Sequence, residues 1–324
     1  MATFEEILRQ IEQAIKKMNF DYSPQSLFDP IEYTLSLGGK RIRPAMVLMA
    51  YNLYKENPEV IMNTALGLEV FHNFTLLHDD LMDEADKRRN KPTVHKVWNA
   101  NAAILSGDAM LIAAYQLIAK TEPKHLKLVL DLFSQTAMEI CCGQQYDMEF
   151  ETRQDVTEEE YIEMIRLKTA VLLACSLKTG AVLADASLED AEHLYQFGIN
   201  IGLAFQLQDD LLDVYGDTET FGKNIGGDIL CDKKTFLLIN AFRRSNDKQL
   251  AELNNWIGKK VEDPKAKIAA VTAVYNELQL KKLSEDKIEK YFAAAMQHLD
   301  AVSVLTERKQ VLKELSARLM NRKY

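Results

Sequence analysis

Little in this chain bends it: 324 residues hold only 13 glycines and 7 prolines, and no stretch shows the sustained alternation of apolar and polar residues that a half-buried strand requires. A sheet-based fold is not expected. The four cysteines, Cys141, Cys142, Cys175 and Cys231, form no Cys-x-x-Cys pair. That sets aside a zinc ribbon or a disulfide framework and fits a reducing, cytoplasmic compartment. Positive charge is also short. Lysine and arginine number 39 against 48 aspartates and glutamates, a net charge of -9, so general affinity for nucleic acid is not expected. No uninterrupted run reaches the roughly 18 to 20 apolar residues that cross a bilayer. The first residues, Met1-Ala2-Thr3-Phe4-Glu5-Glu6, carry acids where a secretory leader carries bases, so neither a transmembrane segment nor a leader is expected. No Ser/Gly/Pro-rich linker divides the chain, and residues 1–324 read as a single helical domain.

What is present is helical periodicity from end to end, in a composition 47% hydrophobic and 27% charged. The pattern predicts an all-α bundle of roughly ten or more helices. Helices are expected over Met62 to Asp83, Ala100 to Ala119, Lys127 to Phe150, Glu158 to Leu183 and Leu188 to Tyr215. Thr157-Glu158-Glu159-Glu160 reads as a capping box opening the fourth of these. Two glycine-rich breaks, Gly38-Gly39 and Gly222 to Asp228, and the polar run Glu84 to Pro92 read as loops.

Two of these helices carry the same unusual pattern. His78-Asp79-Asp80-Leu81-Met82-Asp83 and Gln208-Asp209-Asp210-Leu211-Leu212-Asp213 repeat Asp-Asp-x-x-Asp some 130 residues apart. The first and last aspartates of each are four residues apart and share one face of a helix, close enough to repel without a cation. Both clusters interrupt apolar faces, where carboxylates are costly unless paired or metal-bound. An all-oxygen set suits Mg²⁺, which takes one or two carboxylates and completes its shell with water and phosphate oxygens. Each motif alone also fits a solvated acidic turn; two copies at matching helical positions favour a diphosphate-binding metal site. Basic residues gather at the breaks: Lys40, Arg41 and Arg43 in one loop, Arg88 and Arg89 after the first cluster, Lys223 and Lys233 after the second. Their natural partners are phosphates.

Taken in order, five segments resemble the trans-isoprenyl diphosphate synthases. Gly39-Lys40-Arg41-Ile42-Arg43-Pro44 is similar to the family's Gly-Lys-Arg-x-Arg-Pro, and Leu77 through Asp83 with Arg88-Arg89 to its first aspartate-rich motif. Gly143-Gln144-Gln145-Tyr146-Asp147 matches Gly-Gln-x-x-Asp, Lys168-Thr169 the Lys-Thr pair, and Phe205 through Asp213 the second aspartate-rich motif. The resemblance implies the isoprenoid synthase fold, a helical bundle around a central apolar cavity, and a homodimer. It implies that Asp79, Asp83 and Asp209 ligate three Mg²⁺ ions gripping an allylic diphosphate, with Asp80, Asp147, Asp210 and Asp213 in support. Arg88, Lys168, Lys223 and Lys233 would contact that diphosphate. Lys40, Arg43, His72 and Arg89 would hold isopentenyl diphosphate, and Thr169 and Gln206 would line the reacting centre. Cys231-Asp232-Lys233-Lys234-Thr235 departs from the family's Gly-Lys-x-Thr by lacking the glycine, which leaves Lys234 as the alternative to Lys233.

The implied reaction is ionisation of the allylic diphosphate followed by attack of the isopentenyl double bond. Phe74 lies five residues before Asp79, roughly 7.5 Å along a helix, and would floor the cavity; with the smaller Thr75 beside it, a product of fifteen to twenty carbons is expected. A longer-chain synthase, a terpene cyclase and a catalytically silent partner are the alternatives, the cyclase disfavoured by the second Asp-Asp-x-x-Asp. Cys141 and Cys142 are expected to pack against a neighbouring helix, and neither His78 nor His95 has a partner at nucleophile-base spacing.

Overall fold

The structure is a computed structural model, and it describes residues 3–216, 225–259 and 262–320. It is helical almost throughout, as its sequence periodicity predicts. The chain groups into two compact units. One comprises the described residues of Met1–Ser134, Cys175–Glu192 and Ser303–Leu312, the other those of Gln135–Ala174, His193–Val302 and Lys313–Tyr324.

In the first unit, α1 (Phe4–Lys16) opens on a capping box between Thr3 and Glu6 and buries Ile7, Ile11 and Ile15, one per turn. After α2 (Asp29–Ser36), α3 (Ile42–Asn52) is buried on every side from Pro44 onward, which makes it the central helix of the unit. Each fully enclosed side chain such as Met46 or Leu48 contributes about 1.5–3 kcal/mol from burial. α4 (Met62–Met82) packs along α6 (Ala100–Ile118). At that crossing His78 lies over Gly107, where a Cβ would come within 2.2 Å of its ring, and its Nε2 meets the Ile104 carbonyl at 3.2 Å. His78 is thus a packing residue.

Between α4 and α5 (Val94–Val97), the run Glu84 to Pro92 is a miniature hairpin, not an open loop: β1 (Lys87–Arg88) pairs antiparallel with β2 (Lys91–Pro92). Arg89 and Asn90 have φ of +52° and +62°, the two left-handed positions of the turn that matches strand twist. The alternation is too short to read in a sequence.

The second unit begins within α7 (Pro123–Thr152). Cys141 and Cys142 do not pack against a neighbour as expected. Both are exposed, because the buried face of α7 runs through Ile140 and Gly143 and leaves 141 and 142 to either side of it. The helix expected over Glu158 to Leu183 is two helices, α8 (Glu158–Ile165) and α9 (Val171–Leu183), joined by a π turn over Arg166–Ala170. The Thr157–Glu160 capping box is present. α10 (Leu188–Tyr215) follows, then α11 (Gly227–Leu230), α12 (Phe236–Arg244), α13 (Asp247–Trp256), α14 (Pro264–Glu277), α15 (Leu280–Ala301) and α16 (Thr306–Met320). Val214, Ile229, Leu237, Leu253, Val271 and Tyr275 form one core beneath α11.

Two stretches, Pro58–Met82 and Ala100–Ile118, are long and apolar enough on average to cross a membrane, although polar residues interrupt both. In the first, 61% of the apolar window is buried inside the protein, as befits a core helix; in the second, only 39% is.

Candidate active site

The first aspartate cluster ends α4. Asp79 and Asp80 lie in its last turn and Asp83 is its C-cap. The hairpin folds Arg88 back onto them: its Nε donates to Asp80 at 2.9 and 3.1 Å and its Nη2 at 2.5 Å, with Asp79 at 3.7 Å. Asp80 is 5% exposed, and burial pushes its carboxyl above the usual range although Arg88 opposes the shift. Asp83 is exposed.

The basic run 40–43 does not act as a unit. Arg41, with φ of +47°, is buried and structural: it donates to Glu12 at 2.8 Å, Glu69 at 2.7 Å and the Leu35 carbonyl at 2.7 Å, tying α1, α2 and α4 together. Its neighbours are disposed differently. Arg43 Nη1 lies 3.0 Å from His72 Nε2. Since a guanidinium cannot accept, Nε2 accepts and the imidazole proton sits on Nδ1. Burial first, and then the charge of Arg43, hold His72 far below its ordinary pKa, so it is neutral. Burial pulls Arg43 down to about 10, with Glu69 opposing and Arg89 adding to the fall. Arg43 therefore keeps its charge at neutral pH, and its buried Nε has no hydrogen-bond partner.

Arg89 lies against Gly39, where a Cβ would come within 2.8 Å of the guanidinium. The glycine has a φ of +142°, a backbone conformation that residues bearing a side chain rarely adopt. Partial burial and the charge of Arg41 lower Arg89. Among the described residues no carboxylate pairs with Arg43 or Arg89, because Arg41 and Asn73 take up Glu69. The structure thus brings Arg43, His72 and Arg89 together, with Lys40 exposed in the turn after Gly39. Two guanidinium groups that form no ion pair among the described residues, beside a neutral imidazole, are an arrangement able to take an anion.

The second cluster lies on α10. Asp210, 4% exposed, accepts from the Tyr161 hydroxyl and from Gln206 Nε2 at 3.2 Å, and Thr169 Oγ1 donates to Gln206 Oε1 at 3.3 Å. Burial raises Asp210 to about 7, helped by Asp228 and opposed by Lys233. Asp213 Oδ2 accepts the Asp228 N–H at 2.9 Å, holding the first turn of α11. Lys168 and Thr169 stand on the π turn, a geometry that helices adopt at functional sites. Two glycines let neighbouring helices close on that turn: a Cβ on Gly143 of α7 would lie 2.4 Å from the Lys168 nitrogen, and one on Gly202 of α10 2.5 Å from Ala170 Cα. Lys168 Nζ meets Asp147 at 2.6 Å, which joins the Gly-Gln-x-x-Asp segment to the Lys-Thr pair.

After α11, Lys233 exerts its charge on Asp210, whereas Lys234 Nζ bonds the Asp232 carbonyl at 3.3 Å. That favours Lys233 over its neighbour. Lys223 lies outside the described residues. Phe74 is half-buried, with Phe71 at 5.5 Å and His78 at 4.8 Å between ring centroids, and Thr75 Oγ1 caps the His72 carbonyl at 2.8 Å.

Among the described residues no three His, Cys, Asp or Glu side chains converge into a complete metal cage. Carboxylates one helical turn apart, with no nitrogen or sulfur donor among them, suit a hard ion that takes most of its ligands from elsewhere. Mg²⁺ with phosphate oxygens fits that description. Sequence reasoning missed Tyr161 and Glu69, because both act across 28 or more residues and neither stands in a recurring motif.

The family model described as polyprenyl synthetase matches residues 24–275. A geranylgeranyl diphosphate synthase of Methanosarcina mazei is 41% identical over 72% of this chain and 73% of its own length. A short chain isoprenyl diphosphate synthase of Methanothermobacter thermautotrophicus is 35% identical over 95% of this chain and 91% of its own. Among solved structures, a crystal structure of geranylgeranyl pyrophosphate synthase superimposes with a TM-score of 0.94 at 42% identity, covering 100% of both chains.

Proposed function

The chain belongs to the polyprenyl synthetase family, and we propose that it is a prenyltransferase joining isopentenyl diphosphate head to tail to an allylic diphosphate, with release of diphosphate. The product is a short all-trans prenyl diphosphate of fifteen to twenty carbons. The observation that carries this reading is the pair Arg43 and Arg89, which form no ion pair with a carboxylate among the described residues, beside the neutral His72 and next to an aspartate cluster that wants cations.

On this reading residues 1–324 work as one catalytic domain. Asp79, Asp83 and Asp209 hold Mg²⁺, as three ions, and Asp80, Asp210 and Asp213 orient them. When bound, the metal neutralises charge that develops on the departing diphosphate. Arg88, Lys168, Lys223 and Lys233 bind that diphosphate. Arg88 exchanges part of its fork on Asp80 for phosphate oxygens, and Lys168 arrives already aimed by Asp147. Lys40, Arg43, His72 and Arg89 keep isopentenyl diphosphate in place. Cleavage of the allylic C–O bond leaves a carbocation, towards which the oxygens of Thr169 and Gln206 present their dipoles. The isopentenyl double bond attacks it, and the released diphosphate takes the proton that is lost. Phe74 meets the growing tail.

A homodimer is part of the same proposal. Ile104, Leu105 and Ile112 on α6 are 47–60% exposed, a single-faced apolar stripe that a second copy would cover; sedimentation at twice the chain mass tests it. A cytoplasmic location accords with free thiols at the exposed Cys141, Cys142 and Cys231.

The decisive experiment incubates the protein with Mg²⁺, radiolabelled isopentenyl diphosphate and, separately, dimethylallyl, geranyl and farnesyl diphosphates, and resolves the hydrolysed products by length. Products ending at fifteen or twenty carbons support the whole reading. Much longer ones keep the reaction and reject the Phe74 floor. Absence of elongation with every primer sinks the proposal in favour of a cyclase or a silent partner.

A further inference from the structure

The reaction as described makes no use of Lys267, on α14, although it is among the most deeply buried charged side chains at 1% exposure. Its ammonium reaches Asp232 Oδ1 at 2.6 Å and the Leu230 carbonyl at 3.3 Å. The other oxygen of Asp232 accepts the Gly258 N–H at 2.9 Å. Asp232 itself has φ of +53°, a left-handed conformation that glycine enters freely and a residue bearing a side chain enters against steric resistance. Here the Asp232 carboxylate is tied on both sides by distant residues, Lys267 and the Gly258 N–H. The next residue is Lys233. Its N–H donates to the Asp228 carbonyl at 3.0 Å, and its own carbonyl accepts from the Thr235 N–H at 2.8 Å. The other end of this turn is held by the second cluster, through Asp213 and the Asp228 N–H. The direction of Lys233 is therefore set by the left-handed residue before it. A buried ion pair is often no more stabilising than well-packed apolar residues of the same volume, so stability alone does not account for a lysine here.

We propose that Lys267 is a positioning residue: paired with Asp232, it holds the turn 231–235 in the left-handed conformation that aims Lys233 at the allylic diphosphate. The inference rests on the reading of Lys233 given above. It assigns a role to a residue far from the substrate, and it makes a specific prediction about epistasis. A glycine at position 232 takes positive φ by itself, so it makes the lysine dispensable.

The test compares Lys267→Met, Asp232→Gly and the double variant of the full chain. It measures KM for geranyl diphosphate and for isopentenyl diphosphate separately, with thermal melting as the control for folding. Lys267→Met should raise the geranyl diphosphate KM roughly 10- to 100-fold, the range for loss of an outer partner, and leave the isopentenyl diphosphate KM unchanged. The double variant should recover most of that loss. Titration calorimetry with inorganic diphosphate in Mg²⁺ gives the same comparison without turnover. An unchanged KM in folded Lys267→Met overturns the proposal. So does a double variant as impaired as the single one, or a parallel rise for both substrates, since each would mean lost packing alone. If Lys267→Met does not fold, the double variant carries the test, and the proposal requires it to fold and to bind as the unaltered protein does. Lys233→Ala separates the two levels. If it has no effect, the role of Lys233 fails and the inference with it; if it weakens the allylic substrate while Lys267→Met does not, only the inference fails.

Discussion

The carboxylates that end α4 and those on α10 share a spacing but not a setting. In both, the middle aspartate is the buried one, and in both another group takes hold of it. Asp80 is gripped by Arg88, a cation on a hairpin, whereas Asp210 is held by neutral donors, the Tyr161 hydroxyl and the Gln206 amide. The last aspartate differs too: Asp83 is an exposed helix cap, while Asp213 accepts a backbone N–H. A cation partner responds to an arriving anion and to salt; a neutral, buried partner does neither. The comparison suggests that one aspartate motif is arranged to rearrange when diphosphate arrives, and the other to stay as folded.

The largest effect should come from removing the first aspartate of either motif. Asp79→Ala and Asp209→Ala should each lower kcat about 10²- to 10³-fold or more, the scale of losing one group aimed at transition-state charge, with helical circular dichroism unchanged. Wild-type turnover in either variant would remove the metal role of that cluster and break the symmetry between the two.

The middle aspartates should then part company. Arg88→Lys keeps the charge but not the fork on Asp80, so it should weaken the allylic substrate and leave melting nearly unaltered. Tyr161→Phe leaves the buried Asp210 short of a donor, which costs about 1–3 kcal/mol of stability, visible in urea unfolding and little affected by salt. If both variants behaved alike, the contrast between a responsive and a preset cluster would be wrong.

Much of this was legible in the sequence, for a physical reason: helices and metal carboxylates are both written at spacings of three and four residues. Leu188–Tyr215 and the Thr157–Glu160 box stand where the periodicity and capping chemistry put them. What the sequence hid depends on contacts between distant residues. Nothing local separates Arg41, spent on Glu12 and Glu69, from Arg43, which forms no ion pair among the described residues. The π turn under Lys168 becomes intelligible only once Gly143 and Gly202 are seen to close on it. Asp232, which looked like a defect in a motif, is explained by a lysine 35 residues away.

A chain-length prediction bears on the first region alone. Phe74→Ala opens space beside Phe71 and His78, so the product should lengthen by one or more five-carbon units while the rate of the first condensation stays close to wild type. An unchanged product distribution would return Phe74 to ordinary core packing.

The smallest effect is a titration tied to the first region. His72 is held neutral by burial and by Arg43, so its pKa in the fold lies below the ordinary value of about 6.5 for an unfolded chain. The sign follows from proton counting: below about pH 6.5 the unfolded chain binds a proton that the folded one does not, so stability present above that pH is lost as the pH falls. The slope from this group cannot exceed about 1.4 kcal/mol per pH unit. His72→Asn removes the titrating group, and urea unfolding between pH 7.5 and 5.5 should therefore show a shallower fall for the variant than for the unaltered protein. Equal slopes would mean that His72 takes up its proton inside the fold, and that the Arg43–His72 contact does not exclude an imidazolium.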